Sequence, residues 1–309
     1  MKKTIAALTV LTLAAALFLQ AAAPASLTPD ATVMQVADGL AAGQPQVVWQ
    51  ALPASYQSDV TDLVHRFAEG MDRDIWNRSF AIMGKVSRVM TEKKDFIVEN
   101  PMFSQHAQEV ENVDENWDRL ALVLSTLSTS ELGDIDRLRT ANPEAFLAGT
   151  GSVLMREFLA IAGSQSSSNP WQNDFTQSMS QVQATLISMR EDSAVVQITG
   201  PEGKSEEIEF IKVEDKWVPL EMAQDWPQMI AEARENLSAI QPHELTENKD
   251  AVLLALDTVE GSLDEMLAAQ TYTEFNNALQ SLMGAGMFHF MNLQQQLEGA
   301  QDEESDNGN

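Results

Sequence analysis

The chain has 309 residues with 19 lysines and arginines against 46 aspartates and glutamates, a formal charge of −27, and no cysteine. The missing thiol excludes disulfides, thiolate zinc sites, iron–sulfur clusters, thiol catalysis and a lipid-bearing N-terminal cysteine. So negative a surface repels nucleic acid and anionic lipid head groups, and it suits a salty medium that screens self-repulsion.

Lys2 and Lys3 precede the apolar run "TIAALTVLTLAAALFL", and small residues follow. This is the pattern of a secretory signal peptide over residues 1–25. Ile5 to Leu19 is shorter than the ~20 residues of a bilayer span. Ala23 and Ala25 satisfy the A-x-A rule for a cut before Ser26, and a cut after Ala23 would place Pro24 at the new terminus. The site is expected between Ala23 and Ser26, with no transmembrane segment left after cleavage and export to the periplasm or beyond. About 285 residues would remain, enough to bury about three quarters of their unfolded surface.

Residues 26–170 read as a helical segment. A short helix is expected near 31–42, then a Gly-Gln-Pro break and a second helix carrying Val47, Val48 and Leu52. From Val60, Leu63, Val64, Phe67, Ala68 and Met71 fall at i, i+3, i+4, i+7, one apolar stripe on a helix. The stretch "VTDLVHRFAEGMDRDIW" concentrates His65, Arg66, Asp72, Asp74 and Trp76. Its spacing predicts a corner between two helices: His65 points to water, Gly70 stops one helix in the left-handed conformation, and Asp72 caps the next with Asp74 in its first turn. Trp76, Ser79, Met83, Val86, Val89 and Met90 continue the second stripe. Beyond Pro101, another helix is marked by Val110, Val113, Trp117, Leu120, Ala121 and Leu124. Ser128 with Glu131 predicts a capping box, and Asn142-Pro143 an N-cap with proline at N1. Gly149-Thr150-Gly151-Ser152 reads as a turn between two helices.

After the loop-like "GSQSSSNP" the period becomes two. Val182, Ala184, Leu186 and Ser188 alternate, as do Val196 and Ile198 against Val195 and Gln197, and Ile208 and Phe210 against Glu207 and Glu209. With "KWVP" these predict an antiparallel meander within 171–222, one face wet and one laid on helices, ended by Pro219. Helices return over 223–299: one in "DWPQMIAEARENLSAI", one from Thr246 to Ala269, and one opened by a Thr271/Glu274 capping box. The last two should pack as an antiparallel pair. Residues 300–309, acidic and without large apolar groups, predict a disordered tail.

The fold class expected is α+β, mainly helical, with one small antiparallel β-meander packed on helices from both halves as one domain. No motif nominates a catalytic, cofactor-binding or metal residue. "GPEGKS" at 200–205 lacks the first glycine of a phosphate loop, Ile198 standing in its place. His65, His106, His243 and His289 are far apart without H-x-x-x-H spacing. Met283, Met287 and Met291 with His289 between them form a soft-ligand stripe that could hold Cu(I), or else core filler.

The segments "LPASYQSDVTDLVHRFAEGMDRDIWNRSFAIMGKVSRVMTEKKDFIVENPMF", "FLAGTGSVLMREFL" and "IKVEDKWVPLEMAQDWPQMIAEA" resemble a family of uncharacterised secreted bacterial proteins over most of the mature chain. The resemblance implies a signal peptide and export and brings no activity, so no site residue transfers. "VEDKWVP" is similar to the closing strands of cone-shaped sheet domains of the nuclear-transport-factor type. The expected function is therefore an exported, non-enzymatic periplasmic or envelope module, binding a protein or small molecule or serving as a scaffold. It uses no cofactor and no nucleic acid. Alternatives are a carboxylate-dependent hydrolase and a calcium- or copper-responsive protein.

Overall fold

A computed structural model describes residues 27–101, 113–164, 175–239 and 249–284. Of these, 73% are helical, and one four-stranded antiparallel sheet packs against the helices, so the chain is mainly helical α+β. The first helices are α1 (Pro29–Ala41), α2 (Gln46–Ala51), α3 (Ala54–Gly70), α4 (Arg73–Glu92), α5 (Lys94–Glu99) and α6 (Val113–Thr129). A 3-10 turn (Glu131–Gly133), α7 (Ile135–Leu138), α8 (Pro143–Phe146), a π-helical turn (Leu147–Gly151), α9 (Ser152–Ser164) and α10 (Phe175–Ser180) follow. Then come β1 (Gln183–Met189), β2 (Ser193–Thr199), β3 (Ser205–Val213), β4 (Lys216–Pro219), α11 (Leu220–Ala239), α12 (Lys249–Ala268) and α13 over residues 272–284.

The helix boundaries show which local signals operate. Asp72 caps α4, its carboxylate accepting from the N–H groups of Asp74 (2.9 Å) and Ile75 (3.1 Å). Asn142 accepts from Ala145 N–H, and the Thr271/Glu274 box closes in both directions. Two other expectations fail. Gly70 is the last helical residue of α3, and the chain turns through extended backbone at Met71 (φ −84°, ψ 138°) and Asp72, so no left-handed glycine is needed. Ser128 lies inside α6 with its hydroxyl on the Ser125 carbonyl; Ser130 is the actual cap and accepts from Leu132 N–H. The helix runs further because Gly133 has no Cβ to strike the Ser128 carbonyl. Gly149-Thr150-Gly151-Ser152 is likewise no turn. The helix passes through it as a π-turn, with Gly151 buried.

Helix α4 lies between two neighbours. Against α6 it runs antiparallel: Trp117 Nε1 donates to the Met90 carbonyl (2.8 Å), Ser87 Oγ to the Ala121 carbonyl (2.7 Å), and Gly84 faces Ser128. Against α12 it runs parallel, because partner numbers rise together on both sides. Lys249 meets Asp72 and Asp74, Arg78 meets Asp257 and Glu260, Lys85 meets Glu260 and Asp264, and Lys93 donates to the Ala269 carbonyl. Beneath this ladder Val89, Ile97, Leu263, Met266, Phe275, Ala278 and Leu279 form one core cluster, which joins the C-terminal helices to α4 and α5. Fully buried Phe275 alone contributes about 1.5–3 kcal/mol by removal from water.

The sheet has strand order β1-β2-β3-β4. On one face Ala184, Leu186, Ala194, Val196, Ile198, Ile208, Phe210 and Trp217 pack with Val33 of α1. On the other, Ile211, Val213 and Val218 pack with Tyr56, Trp226 and Ile230 of α3 and α11. The simple picture of one wet face therefore holds only for the β1–β2 half, while the β3–β4 half is covered on both sides. The alternation expected through Ser188 stops at Leu186, where a bulge at Ile187 moves Ser188 opposite Val195. Helix α11 starts at Leu220, directly after the strand and earlier than its sequence signal at Asp225, and it carries Pro227 in its interior.

Candidate functional site

The charged corner at residues 60–76 is where the sequence most suggests chemistry, and apart from exposed Glu69 its charged side chains are engaged with other parts of the protein. His65 is half-buried rather than directed to water, with Nε2 3.1 Å from the Ala141 carbonyl oxygen. A carbonyl only accepts, so that nitrogen carries the proton. Arg66 pairs with Asp62 one turn earlier (2.8 Å), and Trp76 Nε1 donates to the Leu132 carbonyl (2.7 Å). Lys249 reaches Asp72 at 2.8 Å and Asp74 at 2.6 Å. Burial raises the Asp72 carboxyl, but the Lys249 ammonium and two backbone N–H groups outweigh it and hold the group below its ordinary range. The same two aspartates raise Lys249. Under this corner Ala68, Ile135 and Leu138 form a small core with Val64, Phe67, Met71 and Trp76. A neighbouring depression of about 360 Å³, lined by Arg73, Asp74, Asn77, Arg78 and Leu253, is also neutralised internally. Arg73 holds Asp136 at 2.7 Å, and Arg78 holds Asp257 and Glu260.

The remaining sequence candidates separate in space. The 200–205 loop is the β2–β3 hairpin turn; Gly203 adopts φ 71° and Lys204 pairs with neighbouring Glu202. Met283 is exposed, whereas Met287, Met291, His106, His243 and His289 lie outside the described residues, as do residues 1–25 and 300–309. Among the described residues no three histidines, aspartates or glutamates converge as a metal set. One helical stretch there, Pro143–Ala162, is long and apolar enough by length and composition to cross a membrane. It contains the π-turn and is tied down by Gln50 to Glu144 (3.3 Å) and Arg119 to Glu157 (2.9 Å).

A different place collects polar groups and leaves two of them open. Leu27, Thr32 and Gln35 at the start of α1, Gln50 and Ala51 at the end of α2, and Asp215, Lys216 and Trp217 at the β3–β4 hairpin line a groove of about 310 Å³. That lies near the lower end of the range for small-ligand clefts, about 300–1,000 Å³. Three anchors place it. Gly39 lets α2 approach α1, since a Cβ there would collide with Val47. Trp217, buried in the sheet core, fixes the hairpin to α1. Glu214, next to the groove, has a left-handed backbone (φ 55°), and its carboxylate accepts from the N–H groups of Ala54 (2.7 Å) and Ser55 (3.2 Å) at the N-terminus of α3. The Ser55 hydroxyl and these N–H groups hold the Glu214 carboxyl below its ordinary range, so a left-handed residue that would otherwise be unfavourable serves as a cap.

Inside the groove, the Thr32 hydroxyl donates to the Thr28 carbonyl (3.1 Å), and the Lys216 ammonium donates to the Gln50 carbonyl (2.7 Å). Gln35 and Asp215 are exposed, and among the described residues neither has a hydrogen-bond partner. The lining thus supplies amide donors and acceptors, one open carboxylate and apolar contact. It can hold a ligand, and its one hydroxyl is already committed to the Thr28 carbonyl. Sequence reasoning missed this site because its residues come from three distant segments and are of types without a motif. The hairpin "VEDKWVP", singled out above for another likeness, was the one visible pointer.

No family model, curated protein or solved structure matches the chain.

Proposed function

We propose that the chain is an exported, non-enzymatic binding module of the periplasm or cell envelope, akin to secreted bacterial proteins that carry a signal peptide and no assigned activity. Its ligand site is the groove between α1, α2 and the β3–β4 hairpin. The observation that supports this reading is the contrast in side-chain engagement around a concave site: the charges at the 60–76 corner other than exposed Glu69 are bonded internally, whereas Gln35 and Asp215, which line the groove, have no side-chain partner among the described residues. Export follows from Lys2, Lys3 and the apolar run after them. Neither a cofactor nor nucleic acid belongs to this reading, and a net charge of −27 disfavours the latter.

The test is a chemical-shift screen of the purified chain against amino acids, short peptides and oligosaccharides, alongside turnover assays on ester, glycoside and peptide substrates. Shifts confined to the groove without turnover support the proposal. Turnover that disappears on substituting carboxylates would replace it with the hydrolase alternative, and heat on titrating calcium or copper would replace it with the cation-responsive one. The mass of the chain recovered from a bacterial periplasm tests export, with Ser26 expected as the new N-terminus.

A further inference from the structure

We infer that the groove takes a peptide-like ligand bearing a primary ammonium group, with the ammonium on Asp215 and the ligand's amide groups on Gln35 and Gln50. This rests on the binding reading above and adds the chemical class of the ligand.

Charge gives the first argument. The groove contains one anion and one cation, but the Lys216 ammonium already sits on the Gln50 carbonyl at 2.7 Å, at the C-terminal end of α2. The Asp215 carboxylate is the lining charge that makes no bond among the described residues. Around it the chain as a whole carries −27, so cations are drawn in and carboxylate ligands are repelled. Hydrogen-bonding capacity gives the second. A primary amide offers an N–H and a C=O side by side, as a peptide group does; Gln35 has both free, and Gln50, whose Nε2 donates to Glu144, keeps its Oε1 to accept, so the two complement an extended peptide better than they would a pure hydrocarbon or a phosphate. Shape gives the third. Leu27, Ala51 and Trp217 provide apolar contact for methylene groups, and about 310 Å³ accommodates one or two residues of a peptide rather than a folded partner.

A primary ammonium can come from a lysine side chain or from a free amino terminus, and the test separates the two. The ¹⁵N-labelled chain is titrated with Ac-Ala-Lys-Ala-NH2, Ala-Ala-Ala-NH2 with its free amine, Ac-Ala-Ala-Ala-NH2 and Ac-Ala-Glu-Ala-NH2. Resonances of Gln35, Gln50 and the Trp217 indole are followed. The two ammonium peptides should move these resonances, the neutral peptide should need several-fold higher concentration, and the glutamate peptide should leave them in place. The ammonium peptide that saturates first identifies the source. Asp215→Asn, at an exposed position, should weaken the ammonium peptides about fivefold, the scale of one solvent-exposed ion pair, and leave the neutral peptide unchanged. Equal binding of the lysine and glutamate peptides, or full affinity in Asp215→Asn, would overturn the ammonium assignment and leave the groove as a binding site. Silence of the groove with all four peptides would overturn the inference. If the broader screen were silent there too, the binding reading would fall with it.

Discussion

The α4–α12 seam and the groove at the sheet end are both rich in polar side chains, yet they use them in opposite ways. Along the seam, Arg78, Lys85 and Lys249 on either helix each find carboxylates on the other, above an apolar cluster that includes fully buried Phe275. At the groove, Gln35 and Asp215 find no partner among the described residues. Groups bonded inside a fold contribute to its stability, whereas groups left open remain available to a ligand. A cluster of charges in one stretch of sequence is therefore a poor guide to function when the folded chain pairs them.

The comparison can be broken most forcefully at the core. Phe275→Ala should cost about 3–5 kcal/mol of unfolding free energy in urea titration, since a buried aromatic is removed and a cavity left behind. Peptide binding at the groove should survive wherever the variant remains folded.

Next in size is the bracket between α3 and α11. Asp59 accepts from Trp226 Nε1 (3.0 Å) and from Arg234 (2.8 Å), while Trp226 stacks on Tyr56 with ring centroids 4.0 Å apart. Burial, with the Asp59 and Glu214 carboxylates nearby, raises the Tyr56 phenol. Asp59→Ala leaves the largely buried indole N–H without its acceptor and the Arg234 guanidinium with only Asp62, 3.5 Å away, and should cost about 1–3 kcal/mol.

Acidity sharpens the comparison further. The Asp72, Glu214 and Glu274 carboxyls are all lowered in the folded chain, the last by the backbone N–H groups of Gln270 and Thr271. The unfolded chain therefore binds more protons in this range. The stability from these groups is complete above their unfolded values, about 3.9–4.3, and is lost as pH falls through the folded ones. Thermal melts should show Tm dropping below about pH 4, and Lys249→Met should reduce Tm at neutral pH but not at pH 2. Lys85 runs the other way. Burial lowers it, but Asp264 and Glu260 more than compensate, so its contribution holds below about 10.4 and fades as pH rises through the raised folded value. At the hairpin, Glu214→Gln keeps an oxygen to accept from α3 and should melt above Glu214→Ala. The smallest effect expected is that of Asp215→Asn on stability, within about 0.5 kcal/mol, because its carboxylate has no internal partner to lose.

How far these regions could be read from sequence follows from the range of the forces involved. Short-range periodicity disclosed the α3 stripe at Leu63, Val64 and Phe67, the α4 stripe through Val86 and Val89, and strand alternation at Val196 and Phe210, because burial on one face enforces it. Local caps at Asp72, Asn142 and Thr271 were equally visible. Decisions made by distant contacts were not. Ser130 replaces Ser128 as cap because Gly133 fits against the Ser128 carbonyl, and the glycines at 149 and 151 stay helical within a π-turn in which Gly151 is buried. His65 turns inward to a carbonyl 76 positions away, and Lys249 joins Asp72 across 177. The groove was least legible of all, since threonine and glutamine side chains have no characteristic spacing and the three segments meet only after the sheet has docked on α1.

The division between a bonded seam and an open groove is tested most directly by calorimetric titration of Ac-Ala-Lys-Ala-NH2 into the Lys249→Met and Asp215→Asn chains under identical conditions. Unchanged affinity in Lys249→Met, with about fivefold loss in Asp215→Asn, is the predicted result. Loss of affinity in Lys249→Met with full affinity in Asp215→Asn would contradict it and would place the ligand at the charged corner.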